Sequence, residues 1–434
     1  MPFRNQARSC SVPPPKGAVV HLFAALALLH VLALPGAVGA FRVADAVGGA
    51  VDRSWLNRDA YYLRLSNTFR ADAGITFASS ELAAGYTLRL VPDPQTLEVA
   101  PFHIADLRYS YTTPRFSLSL TETLGIGDQT FLGSGRASPL AGVTPAQDAK
   151  AGAPAPPALA TPGSIDSSLL PGARTLPSIA ARSAAGFRYL ATRRLSLAVA
   201  AGYQLYGGLD RDAQRYLALQ HSLDGAISIA YGVSSRLAWV SALVASRGWN
   251  SSDAQFVLLT VSESCQYRWT ATTQLDAGVG ISVRDSALGG AASTLESTPV
   301  GSIGVTHTIR GRERTGALRF AATYAPLVDA VTGRVQNRLT ASATASITQG
   351  DLHGGVGAGL SQVLPTDEPG AVGILSANTF GAYQITEWLG ASLSAQIARQ
   401  DSATAGSAAT TNIPSGFTWG VYMGLYAVSP MLRF

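Results

Sequence analysis

Apolar and small polar residues alternate along much of this chain, and this period of two restricts the folds that the sequence can adopt. The clearest segment is LTASATASIT, residues 339–348, in which Leu, Ala and Ile at odd positions alternate with Thr and Ser. Successive side chains of a β-strand point to opposite faces, so the segment predicts a strand with one apolar and one hydroxylated face.

The same alternation recurs along the chain, and the links between the alternating segments are short and long in turn. Short links such as ATRR and ITEW are separated by longer ones such as RGWNSSDAQ and VDAVTGRV. Bacterial membrane barrels have short turns at one end, longer loops at the other, and an even number of strands. The sequence therefore predicts an all-β fold: a transmembrane antiparallel up-and-down β-barrel of about 16 strands counted from Leu82. The count becomes about 18 if residues 61–80 fold into two short strands.

Composition separates this barrel from other folds. Beyond residue 40 there is no run of about 18 apolar residues, so no transmembrane helix is predicted. Only 14% of the residues are charged and 44 are glycine, whereas a soluble domain has about a quarter charged residues. A barrel explains the low charge, because one face of every strand meets lipid. A soluble β-sandwich or propeller is the alternative that would also give short alternating strands.

The end of the chain carries a more specific pattern. In FTWGVYMGLYAV apolar residues alternate with small or hydroxylated ones. The apolar residues include Phe417, Trp419, Val421, Met423 and Leu425, and the chain stops on the aromatic residue Phe434. This end resembles the last strand of Gram-negative outer-membrane β-barrels as a class, which the barrel assembly machinery reads. The resemblance implies a location in the cell outer membrane, with its lipid and lipopolysaccharide as partners. Pro430 lacks an N–H and predicts a bulge, or the end of the ladder, before Phe434.

The beginning of the chain has the layout of a secretory signal peptide. Arg4, Arg8 and Lys16 precede a long apolar run that closes on Val38, Gly39 and Ala40. We therefore predict a signal peptide at 1–40, a lead segment at 41–60 and the barrel at 61–434. A retained membrane anchor is the other interpretation of the apolar run. Removal of residues 1–40 lowers the formal charge from +5 to +2, which gives no reason to expect nucleic acid as a partner.

One stretch departs from the rhythm of strands and turns. Residues 130–177 are rich in Ala, Pro, Gly and Ser, with almost no periodic apolar face. Such a composition buries too little surface to offset the entropy of ordering, so a long external loop is predicted. It is either a mobile surface loop or a constriction folded into the barrel.

The sequence offers little support for catalysis. Beyond residue 40 the histidines are His103, His221, His307 and His353, and none has metal-ligand or catalytic-motif spacing. Cys265 is then the single cysteine, so no internal disulfide is expected. We expect no enzyme activity, no cofactor and no bound metal.

Charged residues on the polar faces of the predicted strands are the candidate lumen-lining positions. These are Arg89, Arg108, Arg188, Arg284, Arg319, Asp106, Asp224 and Asp276. In a water-filled lumen these residues would bias which ions enter; the alternative is that they pair across strands and brace the wall.

The leading interpretation of the function is a porin-like channel for small polar solutes or ions. A non-conducting structural or surface-display barrel is the second and a barrel enzyme the third. Homo-oligomerisation is left open.

Overall fold

The computed structural model describes residues 38–53, 61–92, 99–131, 165–166, 174–214, 218–251, 255–287, 294–311, 313–329, 335–364, 372–402, 416–429 and 432–433. Almost all of them lie in long antiparallel strands. The strands are β1 Val38–Arg53, β2 Tyr61–Thr76, β3 Ser80–Pro92, β4 Val99–Thr112, β5 Phe116–Phe131, β6 Arg174–Leu190, β7 Leu195–Gly208, β8 Gln220–Gly232, β9 Leu237–Asn250, β10 Gln255–Arg268, β11 Thr273–Ala287, β12 Thr294–Arg310, β13 Arg314–Asp329, β14 Val335–Gln349, β15 Leu352–Val363, β16 Val372–Gln384, β17 Leu389–Ser402 and β18 Gly416–Val428. A one-turn helix, α1 (Arg211–Gln214), follows β7.

These strands form one closed up-and-down barrel. Each pairs with its neighbour in sequence, and β1 closes the ring by pairing with both β2 and β18. The barrel has 18 strands, which corrects the predicted count of about 16. The sixteen strands counted from Leu82 correspond to β3–β18, and residues 61–80 supply one further strand instead of two.

The remaining strand, β1, occupies most of the segment that the sequence analysis assigned to a lead before the barrel. On the outward-facing register of β1, Asp45 and Gly49 interrupt a series of valines, so the apolar alternation of this strand is weak. β1 can be recognised as a strand only from its pairing with β2 and β18. The predicted signal peptide lies outside the described residues except for 38–40, which extend β1 along β2.

The connections alternate in length around the barrel. Eight short turns, of two to four residues, join β2–β3, β4–β5, β6–β7, β8–β9, β10–β11, β12–β13, β14–β15 and β16–β17 at one end. β1 begins and β18 ends at this same short-turn end. In the tightest turn Gly350 has φ +53°, a left-handed conformation that glycine adopts without steric cost. The longer connections lie at the opposite, long-loop end.

Apolar and polar residues segregate to the two faces of the barrel wall. The outer face presents exposed aliphatic side chains, including Ile281, Leu375 and Met423, while polar and small residues face inward. Exposed Trp239, Trp269 and Trp388 lie at the short-turn end of this outer face. No described helix has the length and apolar character needed to cross a membrane.

The irregular connection predicted at 130–177 is shorter than expected. β5 continues to Phe131 and β6 begins at Arg174, because Thr130 pairs with Thr175 and Phe131 with Arg174. Within the connection only 165–166 are described, and they pair in parallel with Val328 and Asp329 of β13. The question of a mobile loop or a constriction otherwise falls outside the described residues.

At the C-terminus the pairing register with β1 shifts by one residue. Val428 pairs with Ala44, whereas Leu432 pairs with Phe41, which is an offset of one residue between the two paired stretches. Pro430, where the sequence predicted a bulge or the end of the ladder, lies outside the described residues.

Candidate functional site in the barrel lumen

All eight charged residues selected from the sequence lie on the inner register of the barrel. On each strand their immediate neighbours, such as Leu107, Phe187, Leu223 and Leu318, are the exposed outer apolar residues. Their role as lumen-lining groups stays a prediction, because a face alone does not establish what passes along it. The contacts divide them into braced and exposed groups.

Strands β2–β4 carry a braced group. Arg70 donates from Nε to both oxygens of Asp72 at 2.9 Å, and its Nη2 lies 3.9 Å from Asp106 Oδ1. Asp106 leans over Gly85, where a Cβ would collide with its carboxylate. Glycine at this position therefore allows Asp106 to lie across β3 and approach Arg70. Sequence reasoning found Asp106 but missed Arg70, although Arg70 and Asp72 share the inner register of one strand.

Two of the selected arginines are exposed. Arg108 on β4 and Arg319 on β13 have no ion pair or side-chain hydrogen bond among the described residues. Both lie in the half of the barrel near the short turns, and their strands are on opposite sides of the ring. Asp276, in the same half, accepts a hydrogen bond from Gln274 Nε2 at 3.0 Å. On β4 and β13 the short-turn half of the inner face is therefore polar, and its two arginines have no partner among the described residues.

Toward the long-loop end the inner wall of β8–β10 is buried instead. Asp224 accepts hydrogen bonds from Ser222 Oγ at 3.3 Å, and both side chains are buried. On β9 the inner residues Val240, Ala242 and Val244 are also buried, and Val240 lies next to Trp239, so the buried wall extends into the short-turn half on these strands. Because these inner side chains are buried, this part of the wall is packed against other groups.

One covering element is the long-loop end of the β13–β14 hairpin, residues 325–329 and 335–338, which we call the inner tip. The ladder between β12 and β13 stops at the pair Gly301–Tyr324, although β12 continues to Thr294 along β11. Val335 clusters with Phe256 and Leu258, which lie on the inner register of β10. The tip has therefore left the wall and lies against the inside of the barrel.

Burial on both sides of the hairpin supports this arrangement. Ala325 and Pro326 are neighbours with opposite orientations, and both are buried; the same holds for Val335 and Gln336. A hairpin within the wall would bury at most one of its two faces. Phe256, which supports the tip, lies flat over Gly248, where a Cβ would collide with the aromatic ring.

Arg284 anchors the inner tip to the wall. Its Nη1 donates to the carbonyl of Val335 at 2.6 Å, and its Nη2 pairs with Glu296 of β12. The guanidinium thus links the three strands β11, β12 and β14. Arg284 thus makes a bridge between the wall and an element inside it.

Two prolines mark the place where the hairpin departs. In the register set by Gly301 and Tyr324, the next pair on the same face would be Pro299 and Pro326. Proline cannot donate to a ladder, so two of them at facing positions weaken the pairing of β12 with β13. Sequence reasoning missed this signal because facing positions are known only once the register is known.

The histidines do not assemble into a site. His103 bonds Tyr86 and His221 bonds Tyr203 on the outer face, at 2.7 and 2.8 Å. His307 bonds Thr273 on the outer face, whereas His353 bonds Thr348 on the inner face. Within the described residues no group of three or more His, Cys, Asp or Glu side chains could hold a metal ion.

The terminal strand shows the apolar outer face most clearly. Phe417, Val421, Met423 and Leu425 are exposed on the outer face of β18, with the partly exposed Trp419 on the same register. Phe434 lies outside the described residues. A closed barrel with this outer surface, short turns at one end and long loops at the other is the architecture of outer-membrane barrels. The protein is an outer-membrane β-barrel.

Solved structures with a similar overall fold are outer-membrane and transport proteins. The outer membrane protein OpdK of Pseudomonas aeruginosa matches with 10% identity and TM-score 0.45, over 92% of this chain and 100% of its own. OccAB4 of Acinetobacter baumannii matches with 9% identity and TM-score 0.44, over 91% and 98%. The FrpB iron transporter of Neisseria meningitidis matches with 8% identity and TM-score 0.45, over 93% and 83%.

The comparison of sequences, unlike that of structures, identifies a family for this chain. No curated protein sequence matches the chain. A family model does match, from residue 68 to residue 411, which spans β3–β17, most of β2 and the inner tip. The chain therefore belongs to the EpsX exopolysaccharide export family.

Proposed function

We propose that this protein spans the outer membrane with its 18 strands and conducts exopolysaccharide outward through its lumen. The family match supports the substrate. The observation that carries the pathway is the inner face of β4–β5 and β13–β14 in the short-turn half, which is lined by exposed polar and cationic side chains. A barrel of this strand number has roughly 35 Å between opposite backbones, more space than its own side chains can fill.

The inner tip supports a pathway that admits extended chains in preference to folded molecules. It takes up part of the lumen at the long-loop end, where Val335 meets Phe256 and Leu258. A linear polymer can pass beside such an obstruction one chain at a time, whereas a folded domain cannot. The tip would thus give the exit a smaller cross-section than the entrance.

The test is deletion of the gene, followed by measurement of cell-surface and secreted polysaccharide. We expect secreted polysaccharide to fall to near background, and the wild-type gene to restore it. Polysaccharide should accumulate inside the cell envelope of the deletion strain. Normal secretion in a deletion strain whose other export components are intact would overturn the proposal.

Passive passage of small polar solutes and ions, the function predicted from sequence, is the second candidate. Arg108 and Arg319 support it, because exposed inner-face charges attract small ions in any water-filled lumen. Slower uptake of small anions by the deletion strain, with normal polysaccharide secretion, would favour this candidate. A non-conducting barrel is supported by the buried wall of β8–β10, and a silent but folded protein in planar bilayers would favour it.

Delivery to the membrane is part of the same proposal. We propose that residues 1–40 act as a Gram-negative signal peptide and that the barrel assembly machinery recognises β18. N-terminal sequencing of the protein purified from outer membranes tests the first point. A mature chain that begins at Phe41 is expected, and an uncleaved chain would overturn it.

A further inference from the structure

The short-turn end of the barrel is divided by charge into two unequal arcs. Five consecutive turns, from β4–β5 round to β12–β13, all have arginine within them or next to them: Arg115, Arg193, Arg194, Arg236, Arg268, Arg310 and Arg314, all exposed. We call these seven residues the basic arc. The remaining described turns carry Asp351 and Glu387, with Glu81 beside the β2–β3 turn.

The basic arc is not neutralised by its surroundings. In the described part of the chain none of its side chains has an ion pair or a side-chain hydrogen bond. Glu313 is the single acidic residue described in its five turns. Outside the basic arc, residues 432–433 add one basic residue, Arg433, which pairs with Ala40 of β1.

Backbone hydrogen bonds between neighbouring hairpins fix the turns that carry the arginines of the arc. The carbonyl of Arg115 accepts from Leu190 N at 2.6 Å, that of Arg194 from Gly232 N at 2.7 Å, and that of Arg236 from Arg268 N at 2.7 Å. Each turn is thereby tied to the next hairpin. Successive turns are two strands apart, about 10 Å, so the arc is a regular row of cationic groups.

The arc continues into the lumen at both of its ends. Arg108 lies on β4, which leads into the first basic turn, and Arg319 lies on β13, which leaves the last one. Both are exposed on the inner register and have no described partner. The cationic surface therefore runs from the edge of the barrel onto two opposite inner walls.

We infer that the basic arc, together with Arg108 and Arg319, is the entry site for an acidic polysaccharide, one that carries carboxylate, phosphate or sulfate groups. This inference rests on the proposed export function and names the substrate class. Guanidinium groups bind such anions through paired hydrogen bonds. A one-sided arc argues against inner-leaflet lipid as the ligand, because lipid surrounds the whole barrel. Continuation into the lumen favours a linear polymer over the surface of a folded protein.

The experiment measures binding of two probes to the purified protein in neutral nanodiscs: polygalacturonate fragments and uncharged dextran of similar length. Wild-type protein is expected to bind polygalacturonate in a salt-sensitive manner and to ignore dextran. The variant Arg194→Gln/Arg236→Gln should bind polygalacturonate about fivefold or more weakly. The matched control Arg247→Gln/Arg399→Gln removes two exposed arginines at the long-loop end and should bind as wild type does.

A second pair of measurements separates the alternatives. Arg108→Gln/Arg319→Gln should also weaken polygalacturonate binding, because the polymer enters the lumen.

If only the arc variant weakens binding and polyglutamate binds as tightly as polygalacturonate, an acidic protein surface is the ligand and the inference is overturned. If the arc variant instead loses affinity for phosphatidylglycerol vesicles alone, the ligand is lipid and the inference is overturned. Equal binding of dextran, or no effect of either variant, also overturns it. Loss of secretion in the deletion strain together with normal secretion by the arc variant would overturn the entry site and leave the export function standing.

Discussion

The two ends of the lumen differ in a way that separates support of the barrel from passage through it. At the short-turn end the inner wall of β4 and β13 is polar, and Arg108 and Arg319 are exposed with no partner among the described residues. At the long-loop end the wall of β8–β11 is buried, and Arg284 is used to hold the inner tip. Arginines that all face inward thus differ in role: Arg284 stabilises packing inside the barrel, whereas Arg108 and Arg319 are exposed to the lumen. A charge on the inner face of a barrel is therefore informative about function only when its partner is known.

Removal of the inner tip should give the largest change. We expect replacement of residues 327–336 by an Asn-Gly turn to raise single-channel conductance in planar bilayers by roughly twofold or more, because the tip takes up lumen cross-section. A variant in which residues 288–293, the link between β11 and β12, are shortened in the same way is the control. Unchanged conductance in the folded tip variant would mean that the narrowest point lies elsewhere.

The next comparison is between neighbouring leucines on opposite faces of β10. Leu258 is 1% exposed and packs against Val335, whereas Leu259 is 44% exposed on the outer face. Leu258→Ala should lower the free energy of unfolding by about 3 kcal/mol, because it leaves a cavity. Leu259→Ala leaves none and should cost about 1 kcal/mol. Urea titration of tryptophan fluorescence in lipid vesicles measures both, and equal losses would contradict the packed tip.

The third comparison is between two arginine–carboxylate pairs. Arg284 is 10% exposed in its pair with Glu296, whereas Arg399 and Asp401 are 65% and 64% exposed. Arg284→Ala removes a charged hydrogen bond to a buried carbonyl and should cost about 2 kcal/mol. Arg399→Ala should cost less than about 1 kcal/mol. The same urea titration applies, and a larger loss for Arg399→Ala would show that the tip does not depend on Arg284.

The smallest effect is expected at the short-turn end. Arg108→Gln/Arg319→Gln removes two unpaired inner-face cations, so the reversal potential in a salt gradient should shift toward cations by a few millivolts. Arg70→Gln, which removes a cation already paired with Asp72, is the control and should shift it less. A wild-type channel that already prefers cations would contradict the anion preference expected from these arginines.

Much of the fold could be predicted because a period of two is a local property. The faces of β3–β18, their order and the alternation of turns and loops follow from neighbouring residues alone. β1 could not be recognised in this way, because Asp45 and Gly49 interrupt its outward series. It is a strand because it pairs with both β2 and β18, and these two strands flank it only in the closed barrel.

The inward orientation of the selected charges could be predicted from the sequence, but their grouping could not. The eight selected charges all face inward, yet the pairing of Arg70 with Asp72, the free state of Arg108 and the anchoring by Arg284 depend on side chains from other strands. The basic arc could have been found in the sequence, since five successive short links carry arginine. Its meaning required the knowledge that these five links are neighbours on one edge.

The alternating faces, the apolar outer surface, the up-and-down order and the aromatic terminal strand follow from the amino-acid sequence, because each depends on residues close together in the chain. The closure by β1, the total of 18 strands and the departure of the inner tip depend on contacts between distant residues and become visible only in the folded barrel. Pro299 and Pro326 illustrate the reason. They stand 27 positions apart in the printed sequence and interrupt the same ladder only because the register sets them face to face.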